Sequence, residues 1–122
     1  RLNNGVDMKA KIFHNPRCSK SRQTLALLLD NNIEIEVINY LKTPPNHKTL
    51  QNILKMLGMD PIDLIRKGEA LYKELDIDSH ADNAQTLINI MIKNPILIER
   101  PIVVANNKAV IGRPPELVLD II

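Results

Sequence analysis

Lys9-Ala10-Lys11-Ile12-Phe13-His14-Asn15-Pro16-Arg17-Cys18-Ser19-Lys20-Ser21-Arg22 passes from an alternating run through a loop towards an apolar helical pattern that begins at Leu25. The alternation predicts a strand from Lys9 to His14. The spacing of Leu25, Leu28 and Leu29 predicts a helix from Ser19 to about Asp30, with these leucines on one face and Asn31-Asn32 suited to its exit. Ile33, Ile35 and Val37 then alternate with Glu34, Glu36 and Ile38, so a second strand runs to about Asn39. Strand, helix and strand joined by short loops make a βαβ unit, with parallel strands and a right-handed crossover.

In that unit Cys18, the single cysteine of the chain, falls on the strand-to-helix loop beside the helix N-terminus. The free N–H groups of a first helical turn carry about half a positive charge, and Arg17, Lys20 and Arg22 add full charges nearby. A free thiol titrates near about 8.5 and falls in such surroundings, so a good share of Cys18 is expected as thiolate at neutral pH.

Beyond the unit, Thr43-Pro44-Pro45 breaks the pattern. Leu50, Ile53, Leu54 and Leu57 recur at helical spacing between an Asn46 cap and Gly58. Asp60-Pro61 opens a short helix through Ile65 and Arg66 that Gly68 closes, and Asp82 with Gln85 resembles a capping box for a helix carrying Leu87, Ile88, Met91 and Ile92 to Asn94-Pro95. This central block, residues 46–94, shows no strand signal. Ile102-Val103-Val104, the turn Asn106-Asn107 and Ala109-Val110-Ile111 then read as an antiparallel hairpin, followed by a helix from Pro114-Pro115-Glu116 containing Leu117, Val118, Leu119 and Ile121. The order is βαβ, helical insert, ββα: an α/β, thioredoxin-like domain over residues 8–122 with a mixed four-stranded sheet. Residues 1–7 lack periodicity and precede Met8, which reads as the natural start after a leader or expression remnant.

Composition narrows the function classes. At 122 residues with 44% hydrophobic content the chain can bury an ordinary core, and a net charge of +2 supplies no broad basic surface for nucleic acid. One Phe, two Tyr and no Trp leave no base-stacking platform. Neither a membrane-length apolar run nor a signal-peptide pattern is present, and a lone cysteine is unlike a secreted disulfide set, so the cytoplasm is the expected compartment.

Counting excludes familiar roles for the cysteine. A tyrosine phosphatase loop needs arginine where this chain has Thr24, and a dithiol redox loop needs cysteine where it has Ser21. A metal site would need more than Cys18 and His14, while His47 and His80 lie in polar, exposed-looking stretches. With one sulfur, any redox cycle must be resolved by a thiol from another molecule. His14 either lowers the thiol pKa, as imidazolium or through a hydrogen bond, or simply ends its strand. Ser21 is a thiolate hydrogen-bond partner or ordinary first-turn capping material.

Arg66 at a helix end, Arg100 before the hairpin and Arg113 after it are the candidate oxyanion ligands, since guanidinium presents the planar donor fork a tetrahedral oxyanion needs. In a thioredoxin-like domain the loop before the hairpin faces the cysteine loop and customarily carries a cis-proline, so Arg100-Pro101 is predicted to be cis.

His14-Asn15-Pro16-x-Cys18-x-x-Ser21-Arg22-x-Thr24-Leu25, with Tyr40-Leu41, Leu64-Ile65-Arg66-Lys67, Asn94-Pro95-Ile96-Leu97, Arg100-Pro101-Ile102-Val103-Val104 and Arg113-Pro114, resembles the glutaredoxin-dependent arsenate reductase family from Met8 to Ile122. Cys18-Ser19-Lys20-Ser21 stands where characterised members carry Cys-Gly-Thr-Ser, which marks a side branch. The resemblance implies an enzyme that reduces arsenate to arsenite with glutathione as co-substrate and glutaredoxin as partner, without a bound cofactor or metal, and a monomer is expected. It implies Cys18 as nucleophile, His14 as the residue that tunes it, and Arg66, Arg100 and Arg113 as oxyanion ligands. Two other readings carry the same fold and loop: a regulator that binds RNA polymerase, and a thiol-disulfide exchange protein.

Overall fold

In the computed structural model, which describes residues 9–122, the chain divides into two units, one containing the sheet and the other spanning Pro44–Glu99. The expected leader and Met8 lie outside the described residues. In the first unit, β1 (Lys9–His14) leads through α1 (Ser19–Asp30) to β2 (Glu34–Asn39), and the hairpin β3 (Ile102–Ala105) and β4 (Lys108–Ile111) completes a sheet of order β2-β1-β3-β4. β1 is parallel to β2 and antiparallel to β3, which makes the sheet mixed as expected.

The register follows from period-two burial. Ala10 faces Ala105 and Ile12 faces Val103, and these four residues close a core with Leu28 of α1 and with Val118 and Ile121 of the C-terminal segment. Asn106 and Asn107 both take left-handed backbone at φ 54° and 60°, the geometry that fits a two-residue turn to twisted strands. The hairpin therefore projects Arg100 and Arg113 from the same end, since Ile102 pairs with Ile111.

Packing overrules several local signals in this unit. The buried face of α1 is Ser21, Thr24 and Leu28, while Leu29 is 58% exposed, because one residue further turns a helix by about 100° and the polar first turn is directed inward. The last segment is a 3₁₀ helix, Pro115–Asp120, that buries Pro115 and Val118 and leaves Leu117 and Leu119 37% and 41% exposed; the expected α-helix does not form. Both Arg100-Pro101 and Arg113-Pro114 are cis, the first expected and the second not.

The second unit holds α2 (His47–Leu57), α3 (Pro61–Leu64), α4 (Ala70–Glu74) and α5 (Ala84–Lys93). Asn46 caps α2 by accepting from the Thr49 N–H at 2.8 Å, and Gly58 ends it at φ 67°. Two boundaries differ from expectation. The cap of α5 is Asn83, which takes the Thr86 N–H, and Asp82 is not the cap. α3 stops at Leu64 because Ile65 is drawn into an antiparallel bridge with Ile98, so Arg66 follows that bridge, not a helix end, and the block does contain extended pairing. Among the described residues, no helix is long and apolar enough to cross a membrane.

Candidate active site

The loop between β1 and α1 is built by its own side chains. Asn15 is 4% exposed; its side-chain carbonyl accepts the Arg17 N–H at 3.0 Å and its backbone carbonyl accepts the Cys18 N–H at 3.0 Å. Pro16 presents its carbonyl to Arg22 Nη1 at 2.9 Å. This tight turn leaves Cys18 as the N-cap of α1, in extended backbone with the free first-turn N–H groups ahead of it. No ordinary side-chain cap bond forms there, and the Ser21 backbone N–H instead favours the ionised sulfur.

Cys18 is the point on which the charges converge. Burial pushes its thiol up, but the Ser21 backbone N–H, hydrogen bonds from Arg100 and Arg113, and the Arg100 charge outweigh that and bring it down to about 7. Arg113 Nη1 lies 3.7 Å from Cys18 Sγ and also donates to the Arg100 carbonyl at 3.0 Å, which ties the two arginine loops together over the sulfur. Nε and Nη1 of Arg100 are buried. The cations that act on the thiol are thus these two hairpin arginines, and not Arg17, Lys20 and Arg22 of its own loop. Arg17 is exposed, and the charge of Arg22 falls on His14.

His14 reaches the site through Ser21. Its Nδ1 lies 2.6 Å from Ser21 Oγ, which also accepts the Asn15 backbone N–H at 3.0 Å. Burial, helped by Arg22, lowers the His14 pKa and so favours the neutral ring bonded to Ser21. Ser21 therefore touches the thiolate through its main chain, while its side chain pins the end of β1 to the first turn of α1.

Cys18 thus sits buried in a helix cap, with hydrogen bonds from both Arg100 and Arg113 on its sulfur. The ArsC family profile matches residues 13–121, which is nearly all of the described chain. The chain belongs to the ArsC family.

ArsC-family relatives cover most of its length. An uncharacterized protein of Escherichia coli K12, YfgD, is 55% identical over 93% of this chain and 97% of its own. The arsenate reductase of Neisseria meningitidis is 47% identical over 87% of this chain and 92% of its own. The solved structure of the arsenate reductase from Vibrio cholerae superposes with a TM-score of 0.89 at 46% identity, covering 94% of this chain and 98% of that one.

Five of the six residues singled out in the sequence, His14, Cys18, Ser21, Arg100 and Arg113, meet within the first unit. Arg66 belongs to the second, where its guanidinium donates to Glu99 at 2.6 Å and Glu69 at 3.2 Å, and its pKa rises because those carboxylates outweigh burial. Its backbone N–H bonds the Leu97 carbonyl at 2.8 Å. Sequence reasoning missed Asn15, which the Asn-Pro pair ahead of the cysteine could have signalled as a turn-forming side chain. It also missed Glu99, whose tie to Arg66 spans 33 positions and has no local signature. Among the described residues no group of three or more His, Cys, Asp or Glu side chains forms a metal site.

Proposed function

We propose that this ArsC-family chain is an arsenate reductase that uses Cys18 as nucleophile, glutathione as co-substrate and glutaredoxin as the resolving partner. The observation that carries it is the Arg113–Cys18 contact at 3.7 Å, with Arg100 on the same sulfur: a thiolate half-formed near pH 7 lies beside two donor forks suited to a tetrahedral oxyanion. The names of the Neisseria and Vibrio relatives supply the choice of oxyanion. Phosphate, with the same shape and charge, should bind without being reduced.

In the proposed cycle, the Cys18 thiolate attacks arsenic(V) and forms an S–As bond as hydroxide leaves and is protonated to water. Glutathione thiolate attacks the Cys18 sulfur; the S–As electron pair passes to arsenic, which departs as arsenite(III), and a Cys18–glutathione disulfide remains. Glutaredoxin thiolate attacks the glutathione sulfur and returns Cys18 as thiolate. The second and third thiols come from other molecules because the chain has one cysteine. No metal or organic cofactor enters the cycle, and we place the monomeric enzyme in the reducing cytoplasm. The resemblance adds Arg66 to the oxyanion ligands; Arg66→Ala should then weaken arsenate binding without moving the Cys18 pKa.

The test is NADPH-coupled arsenate reduction with glutathione, glutathione reductase and glutaredoxin, on the native chain and Cys18→Ser. Arsenite production that Cys18→Ser abolishes supports the reading. A folded chain with a reactive Cys18 that makes no arsenite refutes it and brings forward disulfide exchange, which an Arg100→Ala variant would retain, or polymerase binding, which a pull-down would detect.

A further inference from the structure

One glycine beside the site has no room for a side chain. A Cβ built on Gly112 would lie 2.5 Å from Thr24 Oγ1, 3.1 Å from Thr24 Cγ2 and 3.0 Å from Pro101 Cγ. Its φ is not in the left-handed region, so close approach and not backbone freedom explains the glycine. Three segments converge on it. The Gly112 N–H bonds the Pro101 carbonyl at 3.0 Å, its own carbonyl lies 3.4 Å from Thr24 Oγ1 on α1, and the next residue is Arg113.

Thr24 is a rigid wall for that contact. It is fully buried, β-branched, and its hydroxyl already donates to the Lys20 carbonyl at 2.8 Å, so it cannot swing aside to admit a methyl group. We propose that Gly112 is a positioning residue for the Cys18 site: its bare backbone seats against Thr24 and Pro101, and this seating holds the Arg113 guanidinium on the Cys18 sulfur. The inference rests on Arg113 acting on Cys18 and is independent of arsenate being the substrate. At 3.7 Å the Arg113 Nη1–Sγ contact is already long, so a displacement of the hairpin end sufficient to relieve a 2.5 Å clash carries the guanidinium out of reach.

The experiment is the pH profile of Cys18 alkylation by iodoacetamide, which needs no substrate and so fails or succeeds apart from the reductase assay. Gly112→Ala should move the thiol from about 7 upwards by about half a unit to one unit, a roughly three- to tenfold loss of thiolate at pH 6. Arg113→Ala should raise it similarly, and adding Gly112→Ala to Arg113→Ala should change nothing further, since the glycine acts through that arginine. Thr24→Ala placed on Gly112→Ala removes the 2.5 Å and 3.1 Å contacts, leaves only Pro101 Cγ at 3.0 Å, and should restore most of the native profile. A folded Gly112→Ala that titrates like the native chain, or one whose shift adds in full to that of Arg113→Ala, overturns the proposal. If Gly112→Ala does not fold, the contact is perturbed from the helix side: Thr24→Val, with a methyl against the Gly112 carbonyl, should raise the thiol pKa while Thr24→Ser leaves it at about 7, and equal profiles for the two refute the seating.

Discussion

Replacing Arg100 with alanine removes two of the four influences that lower the Cys18 pKa, a hydrogen bond and a charge, and leaves burial, which raises it, in place. The thiol lies at about 7 against an ordinary value of about 8.5 to 9, and that displacement corresponds to about 2 to 3 kcal/mol in favour of the thiolate. A hydrogen bond to a charged group contributes about 1.5 to 3 kcal/mol in favourable geometry, and a partly exposed site reduces this. Arg100→Ala should therefore return the thiol to about 8 or higher, so that thiolate at pH 7 falls from about half to about a tenth or less. Arg100→Lys keeps the charge but loses the fork and should titrate between the two. Thiolate absorbance near 240 nm and iodoacetamide rates from pH 5.5 to pH 9.5 measure the shift directly. In the reductase assay, the part of the defect due to the thiol should disappear at pH 9, leaving lost oxyanion binding as the remainder. A folded Arg100→Ala variant with its thiol still near 7 would refute the claim that the hairpin arginines set the nucleophile.

Other outcomes follow from the same geometry. Because the folded thiol titrates below the unfolded one, its contribution to stability is complete above about pH 9 and is lost as pH falls through about 7; urea unfolding at pH 6 and pH 9 should show about 2 kcal/mol of pH-dependent stability that Cys18→Ser lacks. His14 titrates below its ordinary value, so its neutral form stabilises the fold above about pH 6.5 and that contribution is lost under acid, a decline that His14→Gln should flatten in denaturation curves below pH 6.5. Ser21→Ala keeps the backbone N–H at the sulfur and removes the tie to His14 and Asn15, so it should lower the melting temperature while moving the Cys18 pKa less than Arg100→Ala does. Gly58→Ala meets no atoms but forces a left-handed residue at φ 67°, which should cost about 1 kcal/mol in chemical denaturation without affecting Cys18 alkylation.

Much of the fold was legible because its signals are local. Alternation of apolar and polar residues marked β1 and β2, although Val37, expected on the face of Ile35, is 48% exposed; the Asn46 and Gly58 caps fixed both ends of α2, and Asn106-Asn107 marked the hairpin turn by a backbone conformation few other residues adopt. Signals misled where long-range pairing competed with them. Ile65 follows a proline-started helix but leaves it for Ile98, and Leu29 has the right chemistry for a core but lies on the wrong side of α1.

The site divides in the same way. The sequence by itself determined that one cysteine caps a helix and that any redox cycle must borrow its other thiols, because capping depends on neighbours in the chain and the cysteine count needs no structure. Only the tertiary structure decided which cations act on that sulfur. Arg17, Lys20 and Arg22 are adjacent in sequence, yet Arg113, 95 positions away, makes the contact, because β3 and β4 carry their arginines to the sheet end where β1 delivers the loop. The position of Gly112 against Thr24 is of the same kind: a glycine's lack of a side chain is visible in any sequence, but the wall that requires it exists only once the helix and hairpin have packed.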